Sequence, residues 1–374
     1  MLRRKGLVYS FICVPEGEIR PHGLFLRRGK RIFATENTFF LSIIMKPIFF
    51  KPLLKQTIWG GEEVTALKLA SELLERGEAA MPRVGESWEI SGVEGDETPV
   101  CCGEDAGRTL PELIAKYGAD LVGEENLRRY GTTFPLLIKF ISAAQDLSIQ
   151  VHPDDAMAQR MGHPYGKTEM WYIVKAQEGA SLVSGFSHAF SAEGYVASLA
   201  DGTLMQHLSR HGTQAGQCFF IPAGRIHSIG AGNFLVEIQQ SSNDTFRVYD
   251  FDRRDAEGRT RQLHVEQARE ALDYADTEGG PVSYEPRPGA CVNLVSCPQF
   301  TTNLLELDAP FHADYSRRDS FVILIAFEGT AEVRTDAGDT FELRAGQSVL
   351  LPAAMQGADI VPKGGDFRAL ETFC

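Results

Sequence analysis

Gly216-Gln-Cys-Phe-Phe-Ile-Pro222-Ala-Gly224-Arg-Ile-His227 has the make-up of a short strand entered through one tight turn and left through another. Gly216 permits the turn into the apolar run 218–221, Pro222 and Gly224 shape the turn that follows, and His227 is then aimed into the mouth of a barrel. The same pattern recurs as Gly346-Gln-Ser-Val-Leu-Leu-Pro-Ala353. Upstream of it, Glu169-Met-Trp-Tyr-Ile-Val-Lys-Ala-Gln-Glu-Gly179 runs parallel to Asp319-Ser-Phe-Val-Ile-Leu-Ile-Ala-Phe-Glu-Gly329. The offsets are 130 positions for the first pair and 150 for the second, so 20 residues are inserted between the landmarks of the earlier copy. A helix is predicted there, over 191–211. Duplication of one β-barrel unit accounts for both pairs.

The remaining chain fits that frame. Short β-rich runs at 134–141, 169–174, 218–221, 234–239, 321–327 and 348–351 are bounded by Gly, Pro, Asn and Asp. Further helices are predicted over 64–79, 109–129 (where Thr109-x-x-Glu112 forms a capping box around Pro111) and 264–275. The spacing of Gly216, Pro222, Gly224 and His227 resembles the second sequence motif of the cupin barrels. The expected fold is therefore mainly β: two cupin (jelly-roll) β-barrel modules with helical insertions in the first. A catalytic module is placed at 45–278, a linker of Gly/Pro composition at 279–288, and a metal-free module at 289–374. Residues 1–44, rich in basic residues and lacking one clean apolar stretch, read as a dispensable leader or an upstream start before Met45.

The chain has 374 residues, with 50 acidic against 37 basic ones and a formal charge of −13. That balance argues against nucleic acid as a partner, because phosphate backbones are bound through a surplus of lysine and arginine. No run of about 18 apolar residues exists to span a membrane. Seven scattered cysteines, two of them adjacent at 101–102, point to free thiols in a reducing compartment and hence to a cytoplasmic protein.

Chemistry concentrates around His227. In Ser148-Ile-Gln150-Val-His152, Gln150 and His152 lie two apart and share one strand face. Glu169 opens the next β-rich run. One amide oxygen, two imidazoles and a carboxylate suit a borderline divalent cation such as Zn2+, and leave a site of about +1 that can act on a polyol. The second copy lacks these donors: Gly357 is read as the match of His227, Phe300 and Thr302 as the matches of Gln150 and His152, and Asp319 alone answers Glu169.

The chain from Met45 onward resembles the type I phosphomannose isomerases, in their short bacterial form. The resemblance rests on Ile58-Trp-Gly-Gly61, Gly85-Glu-Ser-Trp-Glu-Ile-Ser91, Leu147-Ser-Ile-Gln-Val-His-Pro-Asp-Asp155, Gly166-Lys-Thr-Glu-Met-Trp-Tyr172, Ile221-Pro-Ala-Gly-Arg-Ile-His227 and the run 237–253. It implies a zinc enzyme that interconverts mannose 6-phosphate and fructose 6-phosphate, with Gln150, His152, Glu169 and His227 as ligands of one Zn2+ per chain and Arg247 as a catalytic residue. A guanidinium there stays charged and can hold an enediolate oxygen or the phosphate.

Lys139 and Lys167 are the other cations beside motif strands, and Ser148 shares the Gln150 face. Glu237 and Asp250 compete for the role of proton-transfer base. We therefore expect catalysis from Arg247, Lys167 and Glu237, substrate contacts from Ser148, Lys139 and Asp250, and a monomer acting on a small sugar phosphate. Trp59, Trp88 and Trp171 read as core, and His163, His188, His207 and His211 as solvated. The rival readings are a carbohydrate-binding or sensing cupin without turnover, and a metal-dependent oxygenase. The neutral Gln150 fits non-redox zinc better than iron.

Overall fold

The structure, a computed structural model, describes residues 45–374 apart from 75 and 255–256; the expected leader at 1–44 lies outside the described residues. The apolar runs are strands. In chain order these are β1 (Ile48–Phe49), β2 (Leu53–Gln56), β3 (Val84–Ile90), β4 (Leu136–Ser142), β5 (Ile149–Val151) and β6 (Glu169–Ala176). They continue with β7 (Ser181–Phe186), β8 (Leu208–Gly212), β9 (Cys218–Ile221), β10 (His227–Ile229), β11 (Asn233–Gln240) and β12 (Phe246–Tyr249). The second half adds β13 (Ala290–Ser296), β14 (Thr301–Leu307), β15 (Phe311–Asp314), β16 (Val322–Glu328) and β17 (Thr330–Thr335). The last are β18 (Thr340–Arg344), β19 (Ser348–Leu351), β20 (Gly357–Pro362) and β21 (Phe367–Phe373).

They form four sheets, ordered β2-β3-β4-β11-β6-β9, β12-β5-β10-β7-β8, β1-β19-β16-β21-β14-β13 and β15-β20-β17-β18. This corrects the expectation of two jelly-roll barrels. Closure requires the first and last strands of a sheet to pair, and among the described residues each sheet keeps two unpaired edges. With eight α-helices among the described residues beside these open sheets, the fold is mixed α/β.

What repeats is the connectivity. The order β4-β11-β6-β9 returns as β14-β21-β16-β19, and β5-β10-β7-β8 returns as β15-β20-β17-β18. The parallel segments of the sequence are β6 with β16 and the approaches to β9 and β19. The inserted residues lie between β7 and β8, where the expected helix over 191–211 is only Ala192–Ala200. The chain then makes a 3-10 turn ending at His207, and His211 lies on β8. Strand order also corrects one match: the counterpart of β5 is β15, not the Phe300–Thr302 region, which forms the start of β14.

The helix expected over 109–129 keeps its capping box, in which Glu112 accepts from the Thr109 N–H at 2.8 Å. It breaks into Leu110–Tyr117, Ala119–Val122 and Glu124–Tyr130 at Gly118 and Gly123. Gly123 has φ +92°, and a Cβ there would stand 2.3 Å from the Asp319 carbonyl oxygen. Close approach, not helix propensity, decides the break. The other two expected helices are shortened as well. The pattern over 64–79 is realised as Glu63–Ala70 and Arg76–Ala79, and that over 264–275 as Val265–Ala271.

One apolar core draws on both halves: Ile48, Phe140 and Val236 pack in the same cluster as Phe300, Ile325 and Leu370. The rings of Phe134 and Phe321 meet at 4.7 Å between centroids. Each such buried side chain stabilises the fold by about 1.5–3 kcal/mol.

Candidate metal centre and active site

The site lies where two sheets of the first half meet. β5 carries Gln150, with His152 just beyond its end, and β10 begins at His227, whose register partner is Gln150. Arg247 on β12 pairs with Gln150 from the other side. From the six-stranded sheet come Glu169 and Trp171 on β6, Lys139 on β4 and Glu237 on β11. Gly166 lets these sheets approach: a Cβ there would fall 2.6 Å from the Pro153 carbonyl oxygen. The next residue's N–H donates to that same oxygen at 3.0 Å, which sets the segment leading to Glu169 against the His152 loop.

Two backbone carbonyls fix the histidine tautomers. A carbonyl only accepts, so Nδ1 of His152 donates to Asp244 O at 2.7 Å and Nδ1 of His227 donates to Arg225 O at 2.8 Å. Both Nε2 lone pairs then face Glu169, at 3.6 Å from Oε2 for His152 and 3.3 Å from Oε1 for His227. All three residues are buried, and their ligand atoms lie within 4.8 Å of one another. His152 Nε2 and both Glu169 oxygens are buried without a hydrogen-bond partner. Orphaned acceptors of this kind are costly unless something positive joins them. Hence the residues fit a cation. Turning over the terminal amide of Gln150, whose nitrogen now faces His227 Nε2 at 3.3 Å, would present a fourth donor. Ser148 Oγ donates to the amide oxygen at 3.3 Å.

The electrostatics of the cluster point the same way. Burial holds His227 down to about 4 and His152 well below the ordinary histidine value, so both are neutral near pH 7. Burial, and then the charge of Glu237, push the Glu169 carboxyl up to about 8. Lys167, itself buried, sets its Nζ 3.6 Å from Glu169 Oε2.

The remaining candidates fall into two groups. Lys139 Nζ stands 3.1 Å from Glu237 and 3.5 Å from Glu86, and lies over the Trp88 ring. Burial alone would lower its pKa, but the two carboxylates outweigh burial and raise it. Glu237 also accepts from Trp171 Nε1 at 2.8 Å. Burial would raise this carboxyl; Lys139 and Lys167 hold it below its usual range.

Asp250 is joined to Arg253 and Arg261, with Arg261 Nε at 2.7 Å, and makes no hydrogen bond to the histidine–glutamate cluster. Arg247 is half-buried; its Nη1 donates to Gln262 O at 2.9 Å while Nε is buried without a partner. Trp171, read as core, is fully buried in an apolar cluster, and it also meets His227 edge-on at 5.4 Å between centroids. Its position two residues after Glu169, on the same strand face, was the available sign of that contact. His163, read as solvated, bonds the Asp244 carboxylate at 2.6 Å. No sequence pattern marks the carbonyls of Asp244 and Arg225.

Comparison with known proteins bears on this site. Residues 48–179 match the family model described as phosphomannose isomerase type I, catalytic domain. Mannose-6-phosphate isomerase ManA of Bacillus subtilis is 33% identical over 311 residues, covering 82% of this chain and 93% of that protein. The chain belongs to the type I phosphomannose isomerase family. A mannose-6-phosphate isomerase of Streptococcus mutans is likewise 33% identical, over 82% of this chain and 92% of its own. The crystal structure of the mannose 6-phosphate isomerase from Bacillus subtilis superposes with a TM-score of 0.76 at 29% identity, across 88% of this chain and all of that one. Membership supports, at the level of the family, isomerisation of mannose 6-phosphate, and a small sugar phosphate as substrate.

Proposed function

We propose that this chain interconverts D-mannose 6-phosphate and D-fructose 6-phosphate through a cis-enediol, at a zinc site held by Gln150, His152, Glu169 and His227. The observation that carries the reading is the convergence of two inward-facing imidazole lone pairs on a buried carboxylate that lacks any hydrogen-bond partner. Zinc in such a donor set supplies Lewis acidity towards the oxygens on C1 and C2. The protein's own groups do the rest. Arg247 offers its Nε edge to developing negative charge on an enediolate oxygen or to the phosphate. Lys167 brings a second buried cation beside Glu169. Glu237, clamped between Lys139 and Trp171, is a poor proton acceptor; we give it the part of a fixed negative charge that orients Trp171 against His227.

The test is metal analysis of the purified protein beside a coupled assay for fructose 6-phosphate. His227→Ala should lose metal and turnover together. Arg247→Ala should keep the metal and lose roughly 10²-fold or more in kcat. Zinc bound without turnover on mannose 6-phosphate would return the binding-module reading.

A further inference from the structure

Cys101 and Cys102 are adjacent and exposed, and their sulfurs stand 3.2 Å apart with no group between them. The loop that carries them is held on both sides. The Cys101 N–H donates to Phe49 O at 2.9 Å, and Val100 exchanges hydrogen bonds with Gly107 and Arg108 at 2.8 and 2.9 Å. None of the donors or cations described above belongs to this loop. We propose that Cys101 and Cys102 form a redox-active vicinal dithiol that is oxidised by low-molecular-weight disulfides to an intrachain disulfide.

The two thiols are not equivalent. Cys101 donates its S–H to the Cys102 sulfur, and this hydrogen bond lowers the Cys102 thiol to about 7 while raising Cys101 above the usual cysteine value. A thiol with its pKa near ambient pH is the better attacker. Cys102 thiolate attacks one sulfur of a disulfide R–S–S–R, forming a mixed disulfide and expelling RS−. Cys101 then attacks the Cys102 sulfur, its proton passing to the second departing RS−. The protein pair loses two electrons, and one small disulfide becomes two thiols. Because the loop already holds both sulfurs in contact, the second step has little ordering entropy to overcome.

The experiment uses the full chain, glutathione disulfide as oxidant, an alkylating quench and mass spectrometry of the tryptic peptide 84–108, which holds both cysteines. The expected product is that peptide lighter by two hydrogens, unalkylated, and restored by reductant. Cys101→Ser should instead accumulate glutathione on Cys102, and Cys102→Ser, left with a single thiol on this peptide, should form no intrachain disulfide there. Full alkylation of both cysteines in the native chain, a stable glutathione adduct there, or loss of the adduct in Cys101→Ser would overturn the proposal.

Discussion

Two carbonyl oxygens determine what the site histidines can do. Because Asp244 O and Arg225 O each take an Nδ1 proton, His152 and His227 reach the cluster as neutral Nε2 donors with no proton to lose. Glu169 differs: its carboxyl, raised to about 8, is mostly protonated at pH 7 in the metal-free chain. Zinc uptake at pH 7 should therefore release about one proton per chain, since ligating carboxylates must be ionised. The release should fade as pH rises past 8. Titration calorimetry in buffers of different ionisation heat measures it; no proton release at pH 7 would mean that Glu169 starts ionised. The donor atoms could be picked out by strand spacing, for Gln150-x-His152 fixes one face whatever the surroundings. Their tautomers, the Trp171–Glu237 bond and the enclosure of Asp250 by Arg253 and Arg261 could not, because each partner is supplied by a distant turn or neighbouring strand.

At the scale of elements, a duplicated position has taken up a different task. Asp319, matched in sequence to Glu169, holds the start of the helix Glu124–Tyr130, its Oδ1 accepting from the Glu124 N–H at 2.8 Å and its Oδ2 from the Glu125 N–H at 3.0 Å. It acts as a cap from nearly two hundred residues away. Asp319→Ala should cost about 1 kcal/mol, as loss of a helix cap does, and Asp319→Asn should recover part of it; urea unfolding reads both. Strand placement was legible in sequence because apolar runs between turn residues have few alternatives, as 218–221 illustrates. Sheet closure was not, because it depends on whether edge strands as remote as β12 and β8 find each other. Helix breaks at Gly118 and Gly123 were visible as glycines, but the crowding by Asp319 that requires the second one is tertiary.

For the whole molecule, a buried lysine ties the halves together. Lys68, on the helix Glu63–Ala70, reaches Glu89 Oε1 at 2.9 Å and the Gly346 carbonyl of the second half at 2.8 Å. Lys68→Ala should destabilise by about 3–5 kcal/mol, because it strands a buried carboxylate. The double change Lys68→Met with Glu89→Leu should recover most of that loss. Denaturant unfolding followed by circular dichroism distinguishes the two, and equal losses would mean that the pair is packing rather than charge.

Strand β1 belongs by sequence to the start of the described chain and by pairing to the second half, where Ile48 and Phe49 sit opposite Leu350 and Val349 on β19. Ile48 therefore leaves the ribosome roughly 300 residues before its partner exists. Closing so long a loop is slow, so the nascent first half must carry Ile48–Phe49 without its β19 ladder through most of its synthesis. A chaperone that binds extended apolar segments would find the β19-facing edge of Ile48–Phe49 open throughout that interval, and a ribosome stalled before residue 348 would leave that edge permanently so.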